Sequence, residues 1–460
     1  MKQNINRDQI LSGNLIQAIA TLAIPVVINS FLQTMYNLTD TFWLGQLGTS
    51  ELAAINLVTP LQSMAQNFGS GLTVAASVLI AQYLGAREDD EARSMANQIY
   101  ACAMIFAVGC AAVIILLCPV IIGWLGAEGD TYDKSRLFLS LVICDMPFLY
   151  TVNIYVAIHQ ACGDTVKPMF MNLGGIIINM IMDPLLMVVL HFGVAGAALA
   201  TVFAKAIPAV VAFYKLNNRD QLIYLDLRHI KFEGQKIKQI LAVGLPSAIG
   251  GSTTQLGFLL MSKNVFDYGT QAMAAYGIGN KVNGLISLPS NGIGSATAII
   301  VGQNYGAGQL DRANKGYKIA MRIAVGFLLV GGLILSRPAI STACVSIFSN
   351  DQEVIAMAAD FLSIMAFWCF ANGVYNATNG LFQGSGHTEV NMIIDISRLW
   401  ILRFGTLFFC EYVLKLGVRS VWYSVVLSNG LAALISFTVY CTGYWKKAGA
   451  VKINKEAKSE

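Results

Sequence analysis

The sequence predicts an all-α polytopic membrane protein: twelve transmembrane helices in two six-helix lobes related by a parallel pseudo-twofold repeat. Three observations predict it. The 460 residues are 55% hydrophobic and only 12% charged, with a mean hydropathy of +0.60. A soluble domain carries about 25% charged residues, and a soluble fold could not bury this much apolar chain. Apolar segments also recur at the length needed to cross a bilayer, about 20 residues at 1.5 Å each. Finally, the second half of the chain repeats the first.

The polar segment 1–13 does not read as a signal peptide, so the first span is expected to insert and stay. Twelve apolar segments follow, each bounded by Gly, Pro or charge. They cover 15–43, 52–83, 94–118, 136–159, 167–190, 194–216, 238–265, 272–303, 317–336, 353–381, 389–411 and 418–445. Several exceed the bilayer thickness and predict tilt or kinks. Pro25 removes a backbone donor inside span 1 and favours a bend there. The domains are a cytoplasmic N-terminal segment 1–13, an N-lobe 14–216, a polar linker 217–234, a C-lobe 235–445 and a cytoplasmic tail 446–460.

Charge in the loops sets the orientation. With the N-terminus inside, the inner segments hold twenty Lys and Arg, among them Arg87, Arg93, Lys215, Arg219, Arg228, Lys231, Arg312 and five C-terminal lysines. The outer segments hold five: Lys134, Arg136, Arg337, Lys415 and Arg419. The positive-inside rule then places both termini in the cytoplasm of a multi-pass cell-membrane protein. The net charge of +4 is small and gives no sign of a nucleic-acid partner. The nine scattered cysteines form no CxxC pair and read as small buried hydrophobes.

The repeat is visible residue by residue. A shift of 221 overlays Pro25 on Pro246, Gly48-Thr49 on Gly269-Thr270, Gly71 on Gly292, Gln82 on Gln303 and Asp90 on Asp311. A shift of 223 overlays Phe138-Leu139-Ser140 on Phe361-Leu362-Ser363, Asn153 on Asn376 and Gly163 on Gly386. Each repeat holds six spans, an even number, so both insert with the same orientation. Two such lobes usually enclose a cavity and alternate its access.

Polar groups inside the spans point to function, because a carboxylate at the bilayer centre costs roughly 2.5–3.5 kcal/mol even on the lenient scale. Asp40 closes span 1, and Tyr36 and Asn37 share its face at helical spacing. Asn179 and Asp183 share one face of span 5, and Thr201 and Lys205 one face of span 6. Bringing these spans together would place two carboxylates in one pocket, where they compete for a proton or hold Na⁺ through their oxygens. Each residue also has a plainer reading. Asp40 would be interfacial, Asp183 a turn former before Pro184, Asn179 interhelical glue, Thr201 a back-bonded helix residue. Lys205 would pair with a carboxylate or snorkel. Gln33, Asn37, Met64, Tyr150 and Asn153 are candidate substrate contacts from their faces.

In the second half, Asp395 and Arg398 are spaced to pair on one helix. Lys263 and Arg403 lie near span ends and are expected to snorkel, and Lys281 to line a cavity or brace its helix. The histidines His159, His191, His229 and His387 offer no metal spacing or triad. No GxxxxGK[ST] loop occurs, so no nucleotide-driven energy source is legible. A membrane-embedded enzyme would need a convergent nucleophile, base or metal set, and the sequence offers none.

With these residues laid out, the chain resembles a multidrug and toxic compound extrusion (MATE) transporter over about 12–445. The resemblance rests on Pro25, Asp40 after Asn37-Leu38-Thr39, Gln82-Tyr83-Leu84-Gly85-Ala86 and the twin loops Gly163-Asp164-Thr165 and Gly386-His387-Thr388. Gly277-Ile278-Gly279-Asn280-Lys281, Gln303-Asn304-Tyr305-Gly306-Ala307-Gly308 and Arg398-Leu399-Trp400 with Arg403 complete it. It is similar to the DinF-like and archaeal branch, whose coupling cluster falls on Tyr36, Asp40, Asn179, Asp183 and Thr201. Gln255 and Asn372 stand in the regions where the NorM-like branch carries C-lobe acids. The resemblance implies the MATE fold and a monomeric antiporter without cofactor. It would export organic, often cationic, compounds against H⁺ or Na⁺, the Na⁺ held at Asp40, Asn179, Asp183 and Thr201. Lys205 departs from the neutral polar residue expected there and is a candidate modulator. A lipid-linked precursor flippase of the wider superfamily is the alternative. It is expected to carry more basic cavity residues.

Overall fold

The computed structural model describes residues 2–45, 47–226, 232–366 and 368–447. Arg228, His229, Lys231 and tail residues 448–460 lie outside them. The helices are α1 (Lys2–Ser12), α2 (Leu15–Leu44), α3 (Thr49–Gly85), α4 (Asp89–Trp124), α5 (Gly129–Val142), α6 (Met146–Ala161), α7 (Val166–Pro184) and α8 (Gly193–Leu216). There follow α9 (Gly234–Phe266), α10 (Thr270–Gly306), α11 (Leu310–Leu335), α12 (Pro338–Ser346), α13 (Gln352–Ala366), α14 (Cys369–Gly384), α15 (Thr388–Ile396), α16 (Phe404–Phe408) and α17 (Arg419–Cys441).

Helix occupies all twelve predicted segments. Among the described residues, nine helical stretches are long and apolar enough to cross a membrane, and the pair α13–α14, bent by 57°, makes a tenth. The other two predicted spans are α9 and the run from α15 through α16, which π-helical turns interrupt at Ser397–Arg403 and Phe409–Val413. The nine cysteines are free thiols, four of them buried and three half-buried. Cys144 and Cys441 are exposed, against the expectation for small buried hydrophobes.

The internal repeat sets element boundaries. Helices α3 and α10 each run 37 residues, from positions 221 apart. Helices α6 and α14 each run 16 residues, from positions 223 apart. Gly163 and Gly386 both hold positive φ, 79° and 84°, in equivalent turns that a side chain would strain.

The compact units do not follow the sequence halves at their ends. One unit holds residues 1–7 and 28–248, the other 8–27 and 249–460. The chain thus changes unit inside α2, just after Pro25, and again inside α9, just after Pro246. Small residues explain the pairing. A Cβ on Gly71 would lie 2.3 Å from the Gly244 carbonyl oxygen and 2.9 Å from the Ala248 methyl. In the second unit a Cβ on Gly292 would lie 2.5 Å from Val27 and 3.1 Å from the Ala23 carbonyl oxygen. These are the same contact made twice, since 23 and 27 repeat as 244 and 248. Close backbone approach at glycine is what packs helices where lipid offers no hydrophobic drive. Ala18, Ile19, Leu22 and Ala23 of α2 then bury against Ile293, Ala296 and Ile300 of α10.

In the first unit the core joins Ile55 and Val58 of α3, Ile122 of α4, Leu139 and Val142 of α5 and Ala197 and Ala198 of α8. Glycine opens a second close approach here. A Cβ on Gly69 would fall 1.8 Å from the ring of Tyr150, which donates its hydroxyl hydrogen to the Ala65 carbonyl at 2.9 Å.

Candidate functional site

In the first unit the last turns of α2 lie beside α6, α7 and α8. Between them is a cavity of about 200 Å³. Its polar wall is Gln33 and Tyr36 from α2, Asn153 from α6, Asn172 and Asn179 from α7, and Thr201 and Lys205 from α8. The helical spacings put these groups on shared faces. Asn179 and Asp183, one turn apart, are each only 1% exposed. Neither the amide of Asn179 nor either oxygen of Asp183 makes a well-formed hydrogen bond among the described residues, although the Asn179 amide lies close enough to act on the Asp183 carboxylate. Pro184 follows at once, and α7 then loosens into a π turn over Leu185–Val189. Such π turns often mark functional sites.

Asp40 is half-buried. It senses the Lys205 charge, and Asp183 in turn senses Asp40. Tyr36 senses three carboxylates: Asp40, Asp183 and Asp145. Tyr36, Asn179, Thr201 and Lys205 therefore share the cavity wall, while Asp40 and Asp183 lie off the wall but within electrostatic reach of it. Thr201 also shows its plainer reading, because its hydroxyl donates to the Ala197 carbonyl at 3.1 Å.

Asp145 is the residue the sequence reading missed. It is wholly buried, in the 3₁₀ turn Ile143–Asp145 that joins α5 to α6. Lys205 Nζ donates to its Oδ2 at 2.5 Å, and Gln62 Nε2 reaches the same oxygen at 3.3 Å. Its Oδ1 has no hydrogen-bond partner among the described residues. The signal was there. A carboxylate ten residues into an apolar span, two before Pro147, is as costly as Asp40. The equivalent position in the second half is Trp368, so the acid belongs to one half only. Lys205 thus has its ion pair with Asp145, not with Asp40 or Asp183.

The other substrate candidates separate. Gln33 and Asn153 line the cavity. Asn37 sits one turn from Gln33 and accepts from its amide at 3.4 Å, and it is not on the wall. Met64 is also off the wall, and Tyr150 is 1% exposed, spent on packing against Gly69.

In the second unit, Arg403 was expected to snorkel but is 2% exposed. Lys263 and Lys281 are exposed. Asp395 accepts from Arg398 Nη2 at 3.1 Å, as their spacing predicts, and also from the Tyr375 hydroxyl.

The MatE family model matches residues 25–185 and 246–408, opening in each half at the equivalent proline. The probable multidrug resistance protein YoeA of Bacillus subtilis is 23% identical over 439 residues, 94% of each chain. The multidrug export protein MepA of Staphylococcus aureus is 23% identical, over 92% of this chain and 93% of that one. Among solved structures, MATE in complex with MaD3S superposes with a TM-score of 0.90 at 25% identity, covering 95% of this chain and 98% of that one. MATE in the bent conformation scores 0.88 at 25% identity, covering 97% and 99%. A twelve-span repeat, a polar N-terminal cavity and a family match in both halves agree. The chain belongs to the MATE family and is a multidrug efflux transporter of the membrane, not an enzyme.

Proposed function

We propose that the chain is a secondary antiporter that exports organic cations by alternating access between its N- and C-lobes. Inward H⁺, or Na⁺ in its place, drives it through the N-terminal carboxylate cluster. The observation that carries this reading is the buried Asn179–Asp183 face. A buried carboxylate with only a neutral amide beside it and no cation is tolerable when it holds a proton or a cation. With Lys205 paired to Asp145, that cation must come from outside the chain. A proton there, or Na⁺ on the oxygens of Asp183, Asn179, Asp40 and Thr201, relieves the same repulsion that an organic cation relieves. The two then compete for one site, which is the basis of exchange.

Gln33 and Asn153 would meet the substrate in the cavity, and Tyr36 would link the carboxylates. Asn37, Met64 and Tyr150 would act only if α2 or α6 moved. Pro25 supports a bend in α2, because the helix lacks a backbone donor there and changes unit two residues later. Coupling requires that proton and substrate prefer different lobe arrangements, since equal affinity shifts nothing. The charge bias of the loops supports a cell-membrane protein with both termini cytoplasmic, and we take it to work as a monomer. The N-terminal cavity gives a lipid-linked precursor flippase little support, because its one lysine is already neutralised by Asp145.

Dye efflux from proteoliposomes tests the reading, with a pH or a Na⁺ gradient imposed on wild type, Asp40→Asn and Asp183→Asn. The expected result is export driven by one gradient and abolished by both substitutions. One proton in for one monovalent cation out moves no net charge. A pH gradient then supplies about 1.4 kcal/mol per unit and an imposed voltage changes nothing. Undiminished transport by Asp40→Asn under both gradients would sink the proposal.

A further inference from the structure

The second unit holds a larger cavity, of about 510 Å³, within the range of small-molecule sites. Asparagines dominate its polar wall: Asn280, Asn283 and Asn291 of α10, Asn372 and Asn376 of α14, and Asn429 of α17. Phe258, Met273, Met365 and Val425 supply apolar surface. The charged residues on the wall are Arg398 and Arg403. Both lie in the π-helical turn Ser397–Arg403. In an α-helix, residues five apart point about 140° away from each other. The i to i+5 bonding of a π turn narrows that angle and sets them on one side of the helix. The local break in helix geometry is therefore what puts two guanidinium groups on one cavity.

Their charges are not balanced alike. Arg398 is paired with Asp395, itself held by Tyr375. Arg403 donates from Nε to Ser428 at 3.1 Å and from Nη2 to Asn429 at 2.9 Å, both neutral. Its Nη1 has no acceptor, and no carboxylate pairs with it, among the described residues. The Phe258 ring lies 5.6 Å from its Cζ. A guanidinium 2% exposed with no counter-ion is costly. An incoming anion would repair that.

We propose that this cavity is a binding site for an organic monoanion, a carboxylate on an apolar or aromatic body. The carboxylate would compensate Arg403 while the asparagine amides donate to its oxygens and Phe258, Met273 and Val425 hold the body. One unmatched positive charge suits one negative charge; a dianion would exceed it. The site stands apart from the N-terminal cluster and does not depend on the coupling reading.

Salicylate, a fluorescent aromatic monoanion, and salicylamide, its neutral counterpart, are titrated into the purified full-length protein in detergent. Wild type is expected to bind salicylate at least tenfold tighter than salicylamide. Asn429→Asp is nearly isosteric and places a carboxylate where Arg403 already donates. It is expected to weaken salicylate at least tenfold and leave salicylamide unchanged. Arg403→Lys, which keeps the charge, retains the preference for salicylate, and Asp40→Asn and Asp183→Asn leave both affinities unchanged. Equal affinity of wild type for the two compounds would overturn the proposal. So would wild-type salicylate binding by Asn429→Asp. Loss of dye efflux in the Asp40 and Asp183 variants with salicylate binding intact separates this site from the coupling site.

Discussion

Removing Lys205 should cost more than removing Asp145, although they are partners in one ion pair. The pair closes at 2.5 Å, with Asp145 fully buried and the Lys205 side chain 24% exposed. With about 4 Å between charge centres and an effective dielectric near 20, the attraction is about 4 kcal/mol. Lys205→Met leaves the Asp145 carboxylate buried and uncompensated, a loss of about 3–5 kcal/mol. Asp145→Asn leaves a lysine that still reaches water and senses Asp40, so only about 1–3 kcal/mol is lost. At roughly 2–4 °C per kcal/mol for a unit of this size, Lys205→Met lowers the unfolding temperature by about 6–20 °C. The double variant should recover part of that loss, a coupling of about 1–3 kcal/mol. Thermal unfolding of the purified protein in detergent, followed by tryptophan fluorescence, reads all four corners of the cycle. Additive single effects, or a Lys205→Met protein as stable as wild type, would show that the pair does not hold α8 to the α5–α6 turn. The same proteins report on transport, because Asp145→Asn frees Lys205 to approach Asp40 and should reduce gradient-driven efflux.

Two further outcomes follow from local geometry. Gly69→Ala drives a methyl to 1.8 Å from the rigid Tyr150 ring and should destabilise by about 1–3 kcal/mol or more. Tyr150→Leu in the same chain should restore part of that in the same thermal assay. Lys236, at the start of α9 and outside the membrane span, gives a pH signature. Burial alone would lower its ammonium, but the hydrogen bonds from Nζ to Glu91 and Glu233 outweigh it and hold the group above its ordinary 10.5. A raised folded value means stability fully present below the unfolded value and lost as pH climbs through the folded one. Unfolding temperature measured between about pH 8 and 12 should therefore fall less steeply at the alkaline end in Lys236→Met than in wild type.

The spans, the parallel repeat and the polar faces can all be read along the chain. Hydropathy and helical spacing are properties of neighbouring residues, and the matching lengths of α3 and α10 show how far they reach. The pairs Tyr36–Asp40, Asn179–Asp183 and Thr201–Lys205 were legible because their members lie four apart in apolar runs; that they form one cluster was implied only by the family resemblance. The choice of partner was not legible. Lys205 pairs with Asp145 because the 3₁₀ turn between α5 and α6 turns that carboxylate toward α8, and no spacing along either helix encodes the meeting. Arg403 is buried rather than snorkelling because a π turn redirects it, and hydrogen bonding at the level of one turn leaves no mark in hydropathy. The exchange of the first turns of α2 and α9 between units was likewise invisible. It depends on which glycine face each proline-bearing helix meets, and only the packed structure decides that.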